Sequence, residues 1–196
     1  SIDVGAYSTP QLFDLDKDNL PELIIGEQNG NLNLFKNTGT ITNPNFTLIT
    51  DSLGKVNVTN YAVSYDGFST PCFNRRPDGT TFLLVGSEEG RIHLFENIDE
   101  NLAGKFTDTA GLYSWLSANP ADTLFGWQTS PTIGYLTDPG AFDMITGNFS
   151  GGFNYISKRM PAGIIPGLAT QDTKRFQTLS VTPNPANQTV TVAQPR

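Results

Sequence analysis

Short apolar stretches alternate with polar turns along most of the chain, and their pattern fits strands rather than helices. In the first part of the chain, apolar positions run or alternate over 10–15, 22–25, 31–35 and 45–49, with turns rich in Asp, Asn and Gly between them. β-branched and aromatic residues are frequent in these stretches, and a 3.6-residue period is absent. The sequence therefore predicts four strands joined by tight turns into an antiparallel meander.

The same layout occurs three times, at steps of 60 or 61 residues. Each copy has a proline near its start, a glycine in the middle and an aromatic residue near its end: Pro10, Pro71 and Pro131; Gly26, Gly86 and Gly147; Phe35, Phe95 and Tyr155. A period of this length, with four strands in each copy, predicts a repeat protein in which every unit is one small sheet. The predicted fold is all-β, with four-stranded antiparallel blades of a β-propeller.

The pattern also predicts the boundaries of the units. The three blades are expected within 1–160, at 8–50, 69–110 and 129–160, and the stretches 51–68 and 108–128 are expected to be loops on one rim. Propellers usually have 4–8 blades, and an open arc would leave sheet edges exposed. We therefore expect further blades before Ser1, in a larger wheel.

Composition limits the kinds of partner. The chain has 196 residues, 37% of them hydrophobic, which suffices for a sizeable core. Its net charge of −7 and the lack of a basic stripe disfavour nucleic acid and anionic membranes as partners. No apolar run approaches the roughly 20 residues of a membrane span. The only cysteine, Cys72, cannot form an internal disulfide.

An acidic loop in the first copy is the strongest candidate for a metal site. Carboxylates stand at positions 1, 3, 5 and 9 of the loop, and a backbone carbonyl is available at position 7: Asp14, Asp16, Asp18, Glu22 and the carbonyl of Leu20. Ca²⁺ takes 6–8 oxygen ligands and would relieve the repulsion among these groups. The alternative is a solvated acidic turn.

Neighbouring positions refine the calcium prediction. Asn19 stands where such loops usually carry Gly, and Asn tolerates a left-handed backbone. In the second copy Arg75 and Arg76 replace carboxylates, and in the third copy only Asp138 and Asp143 are left. Calcium is therefore expected in the first copy alone.

The stretch 10–39, PQLFDLDKDNLPELIIGEQNGNLNLFKNTG, resembles the FG-GAP/VCBS repeat of integrin-like β-propellers. The match is strong in the first copy, fair in the second and weak in the third. The resemblance implies seven blades of about 60 residues, calcium in the first strand-to-strand loop of intact repeats and a role in recognition. Transferred by position, the ligands are Asp14, Asp16, Asp18, the Leu20 carbonyl and Glu22.

A Pro/Gly-containing linker, 161–178, precedes a different kind of segment at 179–196. Its start, LSVTPNPANQTVTV, resembles the opening of a type IX secretion C-terminal sorting domain, with Pro183, Asn184 and Pro185 as the turn before the first strand. The alternative is a Pro-rich linker with a short strand. The resemblance implies a bacterium of the Bacteroidetes type, a secretion translocon as partner, and an extracellular or outer-membrane surface location.

Aromatic residues of the second connecting stretch are the candidates for ligand binding. Tyr113, Trp115 and Trp127 could stack on sugar rings or contact a protein, or they could pack between blades. Trp127 is expected to be the core residue and Trp115 the ligand contact.

No catalytic constellation is apparent, because the lone His93 has no nucleophile pattern beside it. The sequence thus predicts a non-enzymatic, calcium-binding module for a glycan or protein ligand. The alternatives are an accessory propeller of a secreted hydrolase with its catalytic domain upstream, and cargo bound to the secretion machinery.

Overall fold

The computed structural model describes residues 1–109, 124–136, 142–157 and 179–181, and its regular structure is almost entirely strand. Three four-stranded antiparallel sheets follow one another along the chain. In each sheet the strands lie side by side in sequence order, and none of the sheets closes on itself. The prediction of an all-β chain with three four-stranded antiparallel units is confirmed.

The first sheet is formed by β1 (Thr9–Phe13), β2 (Glu22–Gly26), β3 (Leu32–Asn37) and β4 (Phe46–Thr50). The second sheet is formed by β5 (Thr70–Arg75), β6 (Thr81–Gly86), β7 (Ile92–Glu96) and β8 (Thr107–Thr109). The third sheet is formed by β9 (Ser130–Gly134), β10 (Asp143–Gly147), β11 (Phe153–Ser157) and β12 (Leu179–Val181). A short 3₁₀ turn, Leu53–Lys55, lies between the first two sheets.

The central hairpins have the same geometry in all three sheets. The turn between the second and third strands contains a glycine with positive φ, at Gly30 (83°), Gly90 (93°) and Gly151 (86°). A side chain at this position would be strained, which explains why glycine recurs at the predicted turn. The strands on either side of the turn lie where the alternating apolar pattern predicts them.

The fourth strands of the second and third sheets depart from the predicted boundaries, whereas β4 lies within one residue of its predicted position. β8 has only three residues, and two of them, Asp108 and Thr109, lie in the stretch that was expected to be a loop. β12 pairs Val181 with Phe153 and Leu179 with Tyr155, so residues beyond the predicted end of the third unit at 160 complete its sheet. β8, with the sequence TDT, contains no apolar residue that would mark it as a strand. The predicted domain boundary at 179 remains a prediction.

The sheets pack face to face through two apolar clusters. On β6, Leu83 and Val85 join the cluster shared with the first sheet, whereas Phe82 and Leu84 join the cluster shared with the third. All four side chains are at most 1% exposed, because a strand between two packed layers is buried on both faces. The first connecting stretch is more than a rim loop, since its Leu53, Val56 and Val58 are buried in the first cluster.

A recurring set of hydrogen bonds links each sheet to the next, and we call it the joint. One side of each joint is the tripeptide at the start of a sheet's first strand. We call it the leading tripeptide, and it spans 8–10, 69–71 and 129–131 in the three sheets. In the first joint, Ser69 Oγ donates to Asn31 O (2.6 Å) and accepts from Glu27 N (3.0 Å). In the second joint, Thr129 Oγ1 donates to Arg91 O (2.9 Å) and accepts from Ser87 N (3.1 Å).

Glycine at the end of the second strand makes the joint possible. The Ser69 carbonyl accepts a hydrogen bond from Thr9 Oγ1 (2.7 Å), and the Thr129 carbonyl accepts one from Thr70 Oγ1 (2.6 Å). Both carbonyls lie against a glycine, Gly26 in the first joint and Gly86 in the second, where any Cβ would overlap the carbonyl oxygen. The 60-residue recurrence of glycine thus follows from a close approach of two backbones.

Candidate metal centre

The candidate metal loop connects β1 to β2 and is built by local backbone geometry. Lys17 and Asn19 have positive φ, 65° and 69°, which turn the chain sharply between the two strands. The predicted left-handed conformation of Asn19 is confirmed. The Asp14 carboxylate accepts a hydrogen bond from Asn19 N (3.2 Å), and Asp18 accepts one from Leu20 N (2.9 Å). These bonds curl the loop around its own acidic side chains.

Three of the predicted ligands come together. Carboxylate oxygens of Asp14, Asp16 and Asp18 all lie within 4.8 Å of one another. Asp14 is partly buried, whereas Asp16 and Asp18 are exposed. Such a group could hold an ion, although acidic clusters of this kind also occur on protein surfaces without one. It is the only cluster of this kind in the described part of the chain.

Glu22 lies beside this group and is far more buried than its members. Its side chain is 2% exposed, and one oxygen, Oε2, accepts a hydrogen bond from Leu15 N (2.9 Å). The loss of solvation raises the pKa of Glu22 above its usual 4.5, and the negative charges of Asp16 and Asp18 act in the same direction. A bound cation would favour the ionised form.

Two buried carboxylate oxygens in this region have no hydrogen-bond partner among the residues that the structure describes. They are Oδ1 of Asp14 and Oε1 of Glu22. A buried polar atom without a partner costs free energy, and a carboxylate oxygen can be satisfied by a cation as well as by a donor. Because every candidate ligand is an oxygen, the group is suited to a hard cation such as Ca²⁺ or Mg²⁺. The part of the Leu20 carbonyl in this set remains a prediction.

Lys36 is a component that the sequence pattern did not identify. Its ammonium forms an ion pair with Asp16 and lies 3.5 Å from Asp18 Oδ2. The hydrogen bond to Asp16 raises the pKa of Lys36 above its usual 10.5. Lys36 therefore neutralises part of the acidic group and would compete with an incoming cation. It lies on β3, across the hairpin from the loop, so only the folded hairpin brings it there.

The corresponding loop of the second sheet has a different chemistry. Arg75 donates to the Asp14 carbonyl (2.7 Å) and lies over the ring of Phe13, which ties the two loops together. Arg76 forms an ion pair with Glu96, and Asp78 accepts a hydrogen bond from Thr80 N (2.9 Å). These side chains stabilise the loop with internal bonds and leave no cluster of carboxylates there.

In the third sheet, Asp143 occupies the position equivalent to Glu22 and accepts an equivalent backbone hydrogen bond. It accepts a hydrogen bond from Leu136 N (2.9 Å), as Glu22 does from Leu15 N (2.9 Å). The Tyr155 hydroxyl lies 3.2 Å from its other oxygen. Asp138 lies outside the described residues.

Among the aromatic ligand candidates, only Trp127 is within the described residues. It is 52% exposed, so the expectation that it packs in the core is wrong. The Trp127 carbonyl accepts a hydrogen bond from Phe149 N (2.8 Å), just as the Gly67 carbonyl accepts one from Glu88 N (2.7 Å). Trp127 and Gly67 therefore occupy equivalent backbone positions in the third and second sheets. Tyr113, Trp115 and the sorting-motif residues Pro183, Asn184 and Pro185 lie outside the described residues.

A groove of about 800 Å³, with both polar and apolar walls, lies between the first connecting stretch and the second sheet. Its walls include Asn60, Tyr61, Glu89, Arg91 and His93. Tyr61 is 67% exposed, and Asn60 holds Glu89 through a hydrogen bond of 2.8 Å. An exposed ring beside amide, carboxylate and guanidinium groups is a surface suited to hydroxyl-rich or peptide ligands. The aromatic residues at 61 and 65 were the available signal in the sequence.

No protein-family model, curated protein or solved structure matches this chain. In the ranges that the structure describes, no helix is long and apolar enough to span a membrane.

Proposed function

We propose that this chain is a calcium-stabilised, non-enzymatic binding module whose three sheets are successive blades of a β-propeller. The acidic loop carries the proposal: three clustered carboxylates, with two buried oxygens nearby that have no hydrogen-bond partner. The recurrence of the same joint between consecutive sheets supports the propeller arrangement, since each unit then contacts only its neighbours.

Calcium acts in this proposal as a clamp on the β1–β2 loop. The ion binds the carboxylates of Asp14, Asp16 and Asp18. It also binds the carboxylate of Glu22 at the start of β2. Lys36 moves away from Asp16 when the ion binds, because both positive charges compete for the same oxygens. The clamp fixes the hairpin that also contacts the second sheet through Arg75.

Thermal unfolding with and without calcium tests the metal assignment. An ion that binds only the folded state raises stability by about 2.7 kcal/mol at a hundredfold excess over its Kd. Addition of Ca²⁺ to chelator-treated protein should therefore raise the melting temperature, and Asp16→Ala should abolish the rise. Asp78→Asn is the matched control, since it changes an acid in the equivalent loop of the second sheet and should leave the calcium response intact. A wild-type protein that does not respond to Ca²⁺ would refute the assignment.

The groove beside Tyr61 is the proposed binding surface, with Trp127 as a further exposed aromatic residue. The ligand class is a glycan or a protein segment at the cell surface. A glycan array probed with wild type and with Tyr61→Ala tests the sugar, and Ile41→Ala, an exposed apolar residue away from the groove, is the control. Signals that survive Tyr61→Ala would place the ligand elsewhere.

Export through a type IX-like translocon remains a proposal that depends on the tail. The experiment should spare β12, because Leu179–Val181 pairs with the third sheet. A truncation after Thr182 removes Pro183, Asn184 and Pro185 and keeps that strand. Secretion by a type IX-competent host should stop while the protein still folds in the cell. Unchanged secretion of the truncated protein would exclude the tail as the sorting signal.

A further inference from the structure

A cleft of about 430 Å³ lies beside the acidic loop, between the first sheet and the connection that follows β7. Its apolar wall is formed by Leu34 on β3, Ile49 on β4 and Leu102 in that connection. All the residues that line the cleft belong to the continuous described stretch 1–109. Its volume is in the range of sites that bind small molecules.

The apolar wall is held in place by the fold itself. Leu34 is 5% exposed and belongs to the first cluster, on which Leu102 packs. The connection that carries Leu102 is fixed by Asn101, whose side-chain amide donates to two carbonyls of the same turn (2.8 and 3.0 Å). Ile49 is 57% exposed, so its side chain is uncovered beside the cleft. A branched alkyl group of a ligand would cover this surface.

Four charged side chains also line the cleft, namely Asp16, Glu22, Lys36 and Lys55, so its formal charge is zero. The ammonium of Lys36 is paired with Asp16 and lies 3.5 Å from Asp18 Oδ2. Lys55 is exposed and makes no ion pair with a described residue. The cleft therefore has one free ammonium group and a second one that is occupied by the acidic loop.

The hairpin of the second sheet places the opposite charge at the equivalent position. Glu96 stands where the first hairpin has Lys36, and it forms an ion pair with Arg76. The cleft beside it, of about 350 Å³, is lined by three carboxylates and one guanidinium: Asp78, Glu96, Asp99 and Arg76. Such a cleft disfavours an anionic ligand. An anion would therefore distinguish the cleft of the first sheet from that of the second.

We propose that the cleft of the first sheet binds a small carboxylate with a branched alkyl group, and that release of Lys36 from Asp16 opens the cleft to this ligand. The alkyl group lies against the apolar wall. The carboxylate pairs with the ammonium groups of Lys36 and Lys55. Their attraction is stronger beside an apolar wall than in open water, because the effective dielectric constant is lower there. This site is separate from the groove beside Tyr61.

The acidic loop controls the charge of the cleft through Lys36. Lys36 loses its partner when a cation binds Asp16, and it regains one when a carboxylate enters the cleft. With a divalent cation on Asp16 and Glu22, the formal charge of the cleft rises from zero to +2. The cation and the carboxylate should therefore each raise the affinity for the other. This coupling rests on the calcium assignment proposed above, whereas the cleft does not.

Titration of the ¹⁵N-labelled chain with 4-methylpentanoate, followed by NMR, measures the binding and locates it. Amide signals of Leu34, Ile49 and Leu102 should shift, and Ca²⁺ should raise the affinity about fivefold over that of chelator-treated protein. The neutral 4-methylpentanamide has the same shape and should not bind. Acetyl-Gly-Gly-Leu presents the same groups at a peptide C-terminus. A higher affinity for this peptide than for 4-methylpentanoate would overturn the assignment to a small molecule.

Two variants test the part of Lys36. Asp16→Asn removes its closer partner without any metal, so the affinity of chelator-treated protein for 4-methylpentanoate should rise about threefold. Asp78→Asn is the matched control and should leave this affinity unchanged. Lys36→Gln should weaken carboxylate binding in Ca²⁺ about threefold while its affinity for Ca²⁺ rises, a separation that a merely structural role would not produce. Lys105→Gln, at an exposed position outside the cleft, is its control.

The cleft and the calcium assignment can fail separately. If Ca²⁺ does not change the melting temperature of wild type, the calcium assignment is refuted, and a gain of affinity in Asp16→Asn still supports the cleft. If Ca²⁺ raises the melting temperature but neither Ca²⁺ nor Asp16→Asn strengthens binding of 4-methylpentanoate, the proposed cleft is refuted. Equal binding of the acid and the amide would likewise overturn the proposal, since the ammonium groups would then play no part.

Discussion

Substitution of Gly86 by alanine tests whether the joint is as tight as the backbone geometry indicates. A Cβ at this position would lie 2.8 Å from the carbonyl carbon of Thr129, and it would overlap the carbonyl oxygen and the Thr70 hydroxyl. The carbonyl cannot move freely, because Thr129 is held by the second sheet through both its nitrogen and its side chain. The third sheet must therefore shift away from the second.

The expected cost has two parts. Overpacking in a well-packed region costs roughly 1–3 kcal/mol, and loss of the 2.6 Å hydrogen bond between Thr70 and Thr129 costs about 1 kcal/mol more. The sum, about 2–4 kcal/mol, corresponds to a fall of roughly 5–15 °C in melting temperature for a chain of this length. Urea unfolding gives the free energy of unfolding.

Gly147→Ala is the comparison that makes the measurement specific. The same change at the equivalent position of the third sheet meets no described residue and should alter the free energy of unfolding by less than about 0.5 kcal/mol. Equal losses at the two positions would indicate that strand glycines matter for a reason other than close approach. A negligible loss for Gly86→Ala would refute the geometry of the joint itself.

Three further predictions concern the loop and the core. Lys36→Gln should raise calcium affinity about threefold to tenfold in titration calorimetry, because the competing ammonium is partly exposed and screened; a weaker affinity would contradict competition. Since the pKa of Glu22 is raised in the folded state, its protonation stabilises the fold, and this stability is lost as pH rises from 4.5 through the folded pKa. Glu22→Gln should therefore raise the melting temperature in calcium-free buffer above that range, and a lower value would argue against an unpaired buried carboxylate. Phe73→Ala should cost about 3–5 kcal/mol in urea unfolding, since the ring is 1% exposed between two sheets; a loss below 1 kcal/mol would show that the first cluster is loosely packed.

The inner strands could be predicted from the sequence because their pattern is local. β2, β6 and β10 are short apolar stretches that end in glycine, and positive-φ glycines mark the turns that follow them. The acidic loop was visible for the same reason, since Asp14, Asp16 and Asp18 are close in sequence. Neither the inner strands nor the acidic loop required knowledge of residues that are distant in the sequence.

Features that depend on distant residues could not be predicted in this way. Lys36 reaches the acidic group only after the hairpin forms, and β12 joins the third sheet 22 residues after β11 ends at Ser157. The backbone contact of Trp127 with Phe149, in the β10–β11 turn 22 residues away, likewise forms only in the folded sheet. The glycine recurrence was evident in the sequence, but its cause, contact with a carbonyl 43 residues away, required the structure.

The joints also determine how the chain should unfold. Because each sheet is bonded only to its immediate neighbours, its resistance to opening is set by how many joints it completes. The second sheet takes part in both joints, and its central strand is buried on both faces. Its amide protons should therefore exchange most slowly with solvent. In the third sheet, Ile145 and Phe153 are only partly covered, so opening should begin there and spread inward as a cooperative front.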